Sequence, residues 1–141
     1  MDINVIGISA ALATFMGIWM GHVLVRVIEF RARSILPPVI VFSILGILLL
    51  SCSFLANAKA LSAALGILSM TTFWDAYEFF RQEKRVIKGH APANPNNPRH
   101  QKILKTYPTS TTLDLLKRNP VGREVEPEEA ARLVLTHEAI Q

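Results

Sequence analysis

Apolar residues fill the first eighty positions in three long runs. Residues 4–25 carry no charge, residues 36–58 carry none, and a third run starts at residue 60 and reaches residue 80 by helical continuity past Trp74. A hydrocarbon layer about 30 Å thick takes about 20 helical residues. The first two runs meet that length, and the third does so when its aromatic end lies in the interface, where Trp and Tyr partition. A soluble bundle would give each helix a polar face, yet across residues 40–50 only Ser43 and Gly46 interrupt the apolar side chains. The pattern predicts an all-α membrane protein with transmembrane helices over about 4–26, 36–57 and 60–80. The opening MDIN has no basic segment and the run behind it is long, so it does not read as a signal peptide.

Charge sets the expected orientation. Of the 15 Lys and Arg residues, residues 1–80 hold only Arg26, Arg31, Arg33 and Lys59. Three of these flank the first turn, and Arg81, Lys84, Arg85 and Lys88 follow the third run. Basic residues are retained in the cytoplasm, which places the N-terminus outside and the C-terminal tail inside. A multi-pass membrane protein with its N-terminus out and its tail in is the expectation. Pro37 and Pro38 suit the first turn of the second helix, and the short link before Lys59 requires a tight antiparallel hairpin. The single cysteine, Cys52, excludes an internal disulfide and a cysteine-based zinc site, and its apolar run suggests a small buried filler. The positive balance comes with no nucleic-acid motif, so no nucleic-acid partner is expected.

Ser9, Ala13, Gly17 and Gly21 recur every four residues on the first helix, and Ala64 and Gly66 are small residues on the third. Such residues let helix backbones approach in lipid, either within the chain or against a larger partner. Beyond them lies a polar cluster at the membrane boundary: His22, Arg26 and Glu29 on the first helix, Trp74, Glu78, Arg81 and Arg85 on the third. The first and third helices run the same way. Counting from the ends of their apolar runs predicts the pairs His22–Glu78 and Glu29–Arg85, which would lower the cost of charge at the boundary and fix register.

His22, Glu29 and the stretch FWDAYEFFRQEKRVIKGHAPANP resemble a family of small bacterial membrane proteins, the domain-of-unknown-function family 4491. The matching positions are His22, Glu29, Phe73, Trp74, Glu78, Phe80, Gln82, Arg85, Val86, Gly89, Pro92, Asn94 and Pro95, within residues 4–96. Val23 and His90 depart from the family pattern, which often has proline and an aromatic there. The resemblance implies a three-helix membrane protein and carries no activity.

The remainder reads as a cytoplasmic tail. Its prolines and asparagines over residues 89–110 predict an extended arm, and Arg99, Lys102 and Lys105 suit anionic headgroups or an acidic partner. Short helices are expected over 112–118, capped by Thr111, and over 127–139, with Pro127 at the first position. Their apolar residues, Leu115, Val134 and Leu135 among them, are too few for a separate core and point to a cytoplasmic docking surface. The expected division is thus a transmembrane domain over 1–88 and a tail over 89–141.

No P-loop, dinucleotide fingerprint, metalloprotease motif or nucleophile elbow is present, and no enzyme or resident cofactor is expected. Glu29, Asp75 and Glu78 are candidate protonation sites, but acids at one end of three spans make no path across a membrane. The reading that results is a small noncatalytic integral subunit that docks on and stabilises a larger membrane complex, an energy-converting assembly being the first host to check. An alternative is a redox protein that binds haem or quinone near His22. Haem requires a second axial ligand, and the other histidines (His90, His100, His137) lie in the tail, while Met70 is the remaining candidate on another span. A free-standing homo-oligomer joined through the glycine stripe is the third reading.

Overall fold

Helix α1 spans Val5–Arg31, α2 Leu36–Leu55, α3 Lys59–Ile87, α4 Pro98–Thr106 and α5 Pro127–Ile140, with a 3-10 turn at Leu115–Lys117. This is a computed structural model; it describes residues 3–119 and 121–140, the last by its backbone alone, and contains no strand among them. Asn4 caps α1, its side chain accepting from the Gly7 amide at 2.9 Å. Proline in the first turn starts α2 and α4, where the missing amide hydrogen has no helical partner to lose. Two helices, α1 and α2, are long and apolar enough to cross a membrane, and only 17% and 11% of their most apolar windows are buried.

The chain divides into two compact units, Met1–Arg81 and Gln82–Gln141, with the boundary inside α3. The expected transmembrane domain ended at residue 88, beyond this division. Val86, near the end of α3, joins Ala91, Ala93 and Ile103 in a buried cluster, with Ile87 and Leu104 packed against it. The last turns of α3 therefore belong to the second unit.

In the first unit α3 is the common partner of the other two helices. Against α2 it runs antiparallel. Ser53 Oγ donates to the Ser62 carbonyl at 2.7 Å and Ser62 Oγ donates to the Ser53 carbonyl at 2.9 Å, a reciprocal pair close to the hairpin link. Further along, buried Ser69 donates to the Gly46 carbonyl at 2.8 Å. Phe42 meets Phe79 edge-on with ring centroids 5.2 Å apart. The sequence separation of these contacts grows from 9 to 23 to 37 residues, as an antiparallel pair requires. A Cβ on Gly46 would lie 2.8 Å from the Phe73 ring, so this crossing admits no side chain.

Against α1, α3 runs parallel. A Cβ on Gly17 would stand 2.5 Å from Thr71 Oγ1, and one on Gly21 would collide with the Asp75 carboxylate. Both pairs are separated by 54 positions, the constant offset of two parallel helices. Gly66 faces Ser53 of α2, a Cβ there lying 3.2 Å from its hydroxyl. The small residues of α3 at 62 and 66 thus serve the hairpin with α2.

The second unit departs from the expected extended arm. Pro98–Thr106 is helical, capped by Asn97, whose side chain accepts from the Arg99 amide at 3.0 Å. Proline and asparagine here set turns and caps for a folded segment. Gly89 ends α3 in the left-handed region at φ +73°. Its amide donates to the Val86 carbonyl at 3.1 Å and that of His90 to the Arg85 carbonyl at 2.8 Å, the pair of bonds of a Schellman cap. Thr109 Oγ1 donates to the Ile87 carbonyl at 2.7 Å and the Ala93 amide to the Thr111 carbonyl at 2.8 Å. Residues 107–111 are fastened across the turn in this way.

The expected helix over 112–118 contracts to the 3-10 turn, capped by Asp114 rather than Thr111. Helix α5 packs on that turn and buries Ala130 and Val134. Ahead of it Arg123 grips Glu129 with both guanidinium nitrogens, at 2.5 and 3.1 Å, and this exposed pairing raises the arginine's pKa further above its ordinary value.

Candidate functional site

The buried line of α1 is Ala13, Val25 and Glu29 together with Gly21, each a multiple of four positions apart. Gly17 lies on the same line half-buried, as does Ser9. Glu29 is 1% exposed, so it extends the small-residue stripe. His22 and Arg26 occupy the neighbouring row and are exposed. The three boundary residues of α1 therefore differ in burial: Glu29 is buried, while His22 and Arg26 are exposed.

His22 opens into a cleft between α1 and α3 of about 360 Å³, lined by Ile18, His22, Met70, Thr71, Trp74 and Asp75. The helix offset of 54 positions places Asp75 beside Gly21. Asp75, and not the expected Glu78, is the acid that shares a wall with His22. Glu78 is buried and forms an ion pair with Arg81, one turn on, at 3.3 Å. Arg81 also stands over the Trp74 indole, 5.8 Å from its centroid, and Tyr77 tilts against that ring at 5.7 Å. Trp74, Tyr77 and Phe80 are all exposed, which leaves an aromatic and basic strip along one side of α3.

The Asp75 side chain has a particular setting. It is 8% exposed. It makes no hydrogen bond among the described residues; its carboxylate oxygens lie against Gly21, and the residue lines the cleft with Ile18, His22, Met70, Thr71 and Trp74. Thr71 Oγ1, nearby, donates to the Leu68 carbonyl within its own helix at 3.0 Å. Sequence reasoning named Asp75 as an acid but left it out of the boundary cluster. The available signal was the alignment of residues 71 and 75 with the glycines at 17 and 21, each a step of four.

The residues expected to meet a partner are distributed differently. Arg99 turns inward, its guanidinium 2.7 Å from Glu83, and its second terminal nitrogen lies 2.8 Å from His100 Nε2. His100 is fully buried and its Nδ1 accepts from the Asn94 amide at 2.8 Å. Lys102 and Lys105 are exposed on α4. Val134 is buried within the second unit, Leu115 is half-buried and Leu135 remains exposed. Arg85 donates to Gln82 at 3.0 Å. Cys52, expected as a buried filler, is exposed on α2, and Ala64 is half-buried on α3. No group of three or more metal-ligating side chains occurs among the described residues.

Neither a curated protein nor a solved structure matches the chain. The pattern of one family does, over residues 4–97, a stretch that holds all of α1 to α3, the Gly89 cap and the His22–Asp75 cleft. The protein belongs to the family described as domain of unknown function DUF4491.

Proposed function

We propose that this is a noncatalytic integral membrane subunit with three spans, its N-terminus outside and its C-terminal unit in the cytoplasm of a bacterial cell, and that it docks on and stabilises a larger membrane complex. The observation that carries the membrane reading is the exposure of large apolar side chains along α1 and α2, from Phe15 and Trp19 to Ile47 and Leu48. At about 25 cal/mol per Å², such surface is strongly unfavourable in water, while acyl chains solvate it without penalty. The hairpin supports a third span: α3 is hydrogen-bonded along α2 from Ser62 to Ser69, so a layer that surrounds α2 would surround that stretch of α3 too. Arg26, Arg31 and Arg33 at one helix end and Lys84, Arg85 and Lys88 after the third span support the orientation.

The docking role is supported by what remains exposed: the apolar outer face of α1, and on the second unit Lys102, Lys105 and Leu135. Purification of tagged full-length protein from membranes in mild detergent, followed by mass spectrometry, tests it. The expected result is stoichiometric recovery of a larger membrane assembly, weakened by Lys102→Glu with Lys105→Glu. A homogeneous particle made of this chain alone would overturn docking. Recovery of the protein from membrane-free lysate without detergent would overturn the membrane reading.

A further inference from the structure

We infer that the cleft between α1 and α3 binds the hydroxylated aromatic head of a lipid-tailed molecule, a quinol, with Asp75 accepting the hydrogen bond from its hydroxyl. This goes beyond the docking role and does not depend on it.

Three observations lead there. First, Asp75 is a buried acid with no hydrogen-bond partner among the described residues. A largely buried acceptor without a hydrogen bond is costly, and a donor arriving on a ligand reduces that cost. Second, the rest of the cleft suits a ring: Trp74 and Met70 supply flat and polarisable walls, Ile18 an aliphatic one, and His22 a second polar group. Third, Ile18, Met70 and Trp74 are each at least half exposed, so the mouth opens on the same apolar surface that faces lipid. A tail attached to the ring leaves along that surface. Gly21 contributes by having no side chain, since any Cβ there would occupy the position of the carboxylate.

The hydrogen-bond polarity makes the inference selective. A quinol hydroxyl donates to a carboxylate. The carbonyl of the oxidised ring has no proton to give and is repelled. Decylubiquinol and decylubiquinone, which share one tail, are therefore the probes, titrated anaerobically into the full-length protein in detergent, with Trp74 fluorescence as the readout in a Trp19→Phe background. The expected result is saturable quenching by the quinol at an affinity about tenfold or more above that of the quinone, the usual weight of a hydrogen bond to a charged group. Asp75→Asn should weaken quinol binding by a similar factor and, by removing the repulsion and adding an amide donor, strengthen quinone binding, so that the preference for the quinol is lost. Equal affinity for the two probes would overturn the proposal by making the cleft a groove for acyl chains. Tighter binding of decylamine than of the quinol would overturn it by assigning the carboxylate to a cation. Should Asp75→Asn not accumulate, the comparison of the two probes on the Trp19→Phe protein decides alone.

Discussion

Gly21 of α1 lies directly against the carboxylate of Asp75 on α3, with no space for even a methyl group between them. The contact fixes where α1 sits and also shields one side of a buried acid. Gly17 against Thr71, one turn earlier, repeats the arrangement.

Gly21→Val and Gly17→Val should each destabilise the first unit by about 1–3 kcal/mol, the usual cost of forcing bulk into a packed contact. Gly7→Ala, whose new atom meets Asn4 at an ordinary 3.4 Å, should be nearly silent. Thermal unfolding in detergent, followed by helical circular dichroism, gives the ranking. Equal midpoints for all three would show that α1 does not pack on α3 through its glycines.

The reciprocal bonds of Ser53 and Ser62 close the α2–α3 hairpin. Because the two hydroxyl oxygens also lie 3.5 Å apart, the two substitutions should be partly coupled. A double-mutant cycle of Ser53→Ala and Ser62→Ala is expected to show an interaction of about 0.6 kcal/mol, typical of hydrogen bonds between helices in membranes. Strict additivity would mean that the two bonds act independently.

Gly89 has two reasons to be glycine: its positive φ, and a missing side chain where the Thr109 carbonyl passes. Gly89→Ala should cost about 1–3 kcal/mol, confined to the second unit. Hydrogen exchange is the measurement. Protection should fall over residues 85–111 while α2 keeps its own.

His90 and His100 look alike in the sequence, yet one is exposed and the other is fully buried with Nδ1 bonded to the Asn94 amide. His100→Ala should lower the stability of the second unit by about 1–3 kcal/mol through the lost acceptor, with a further loss from the cavity. His90→Ala should leave it unchanged. Limited proteolysis of the two variants separates them, and similar cleavage rates would remove His100 from the core.

Long apolar runs made α1, α2 and most of α3 legible, since twenty unbroken apolar residues have few other uses. Asp75, rather than the expected Glu78, lines the cleft with His22, and the way positions are counted accounts for the difference. The outer ends of the uncharged runs are positions 4 and 60, but the helices begin at Val5 and Lys59. A charged residue starts α3 and does not register as part of an apolar run. That error of two positions moved the acid expected opposite His22 from the neighbourhood of Asp75 to Glu78. The second unit was illegible for another reason. Its core of Val86, Ala91, Ala93 and Ile103 is small and has no helical period, and it is held by caps and turns built from Asn, Pro and Gly. Those residue types announce irregular backbone without saying whether it folds.

The parallel offset between α1 and α3 has a bearing on biosynthesis. If the chain inserts as proposed, ribosomes deliver α1 first, while Thr71 and Asp75 are still untranslated, and the glycine-bearing side waits in lipid until α2 and the hairpin have followed. At Gly17 and Gly21 that surface carries no ionisable group and tolerates the delay. Had the acid been placed on the early helix and the glycine on the late one, a carboxylate would have faced acyl chains throughout the interval; as built, it meets its shield within moments of its own insertion.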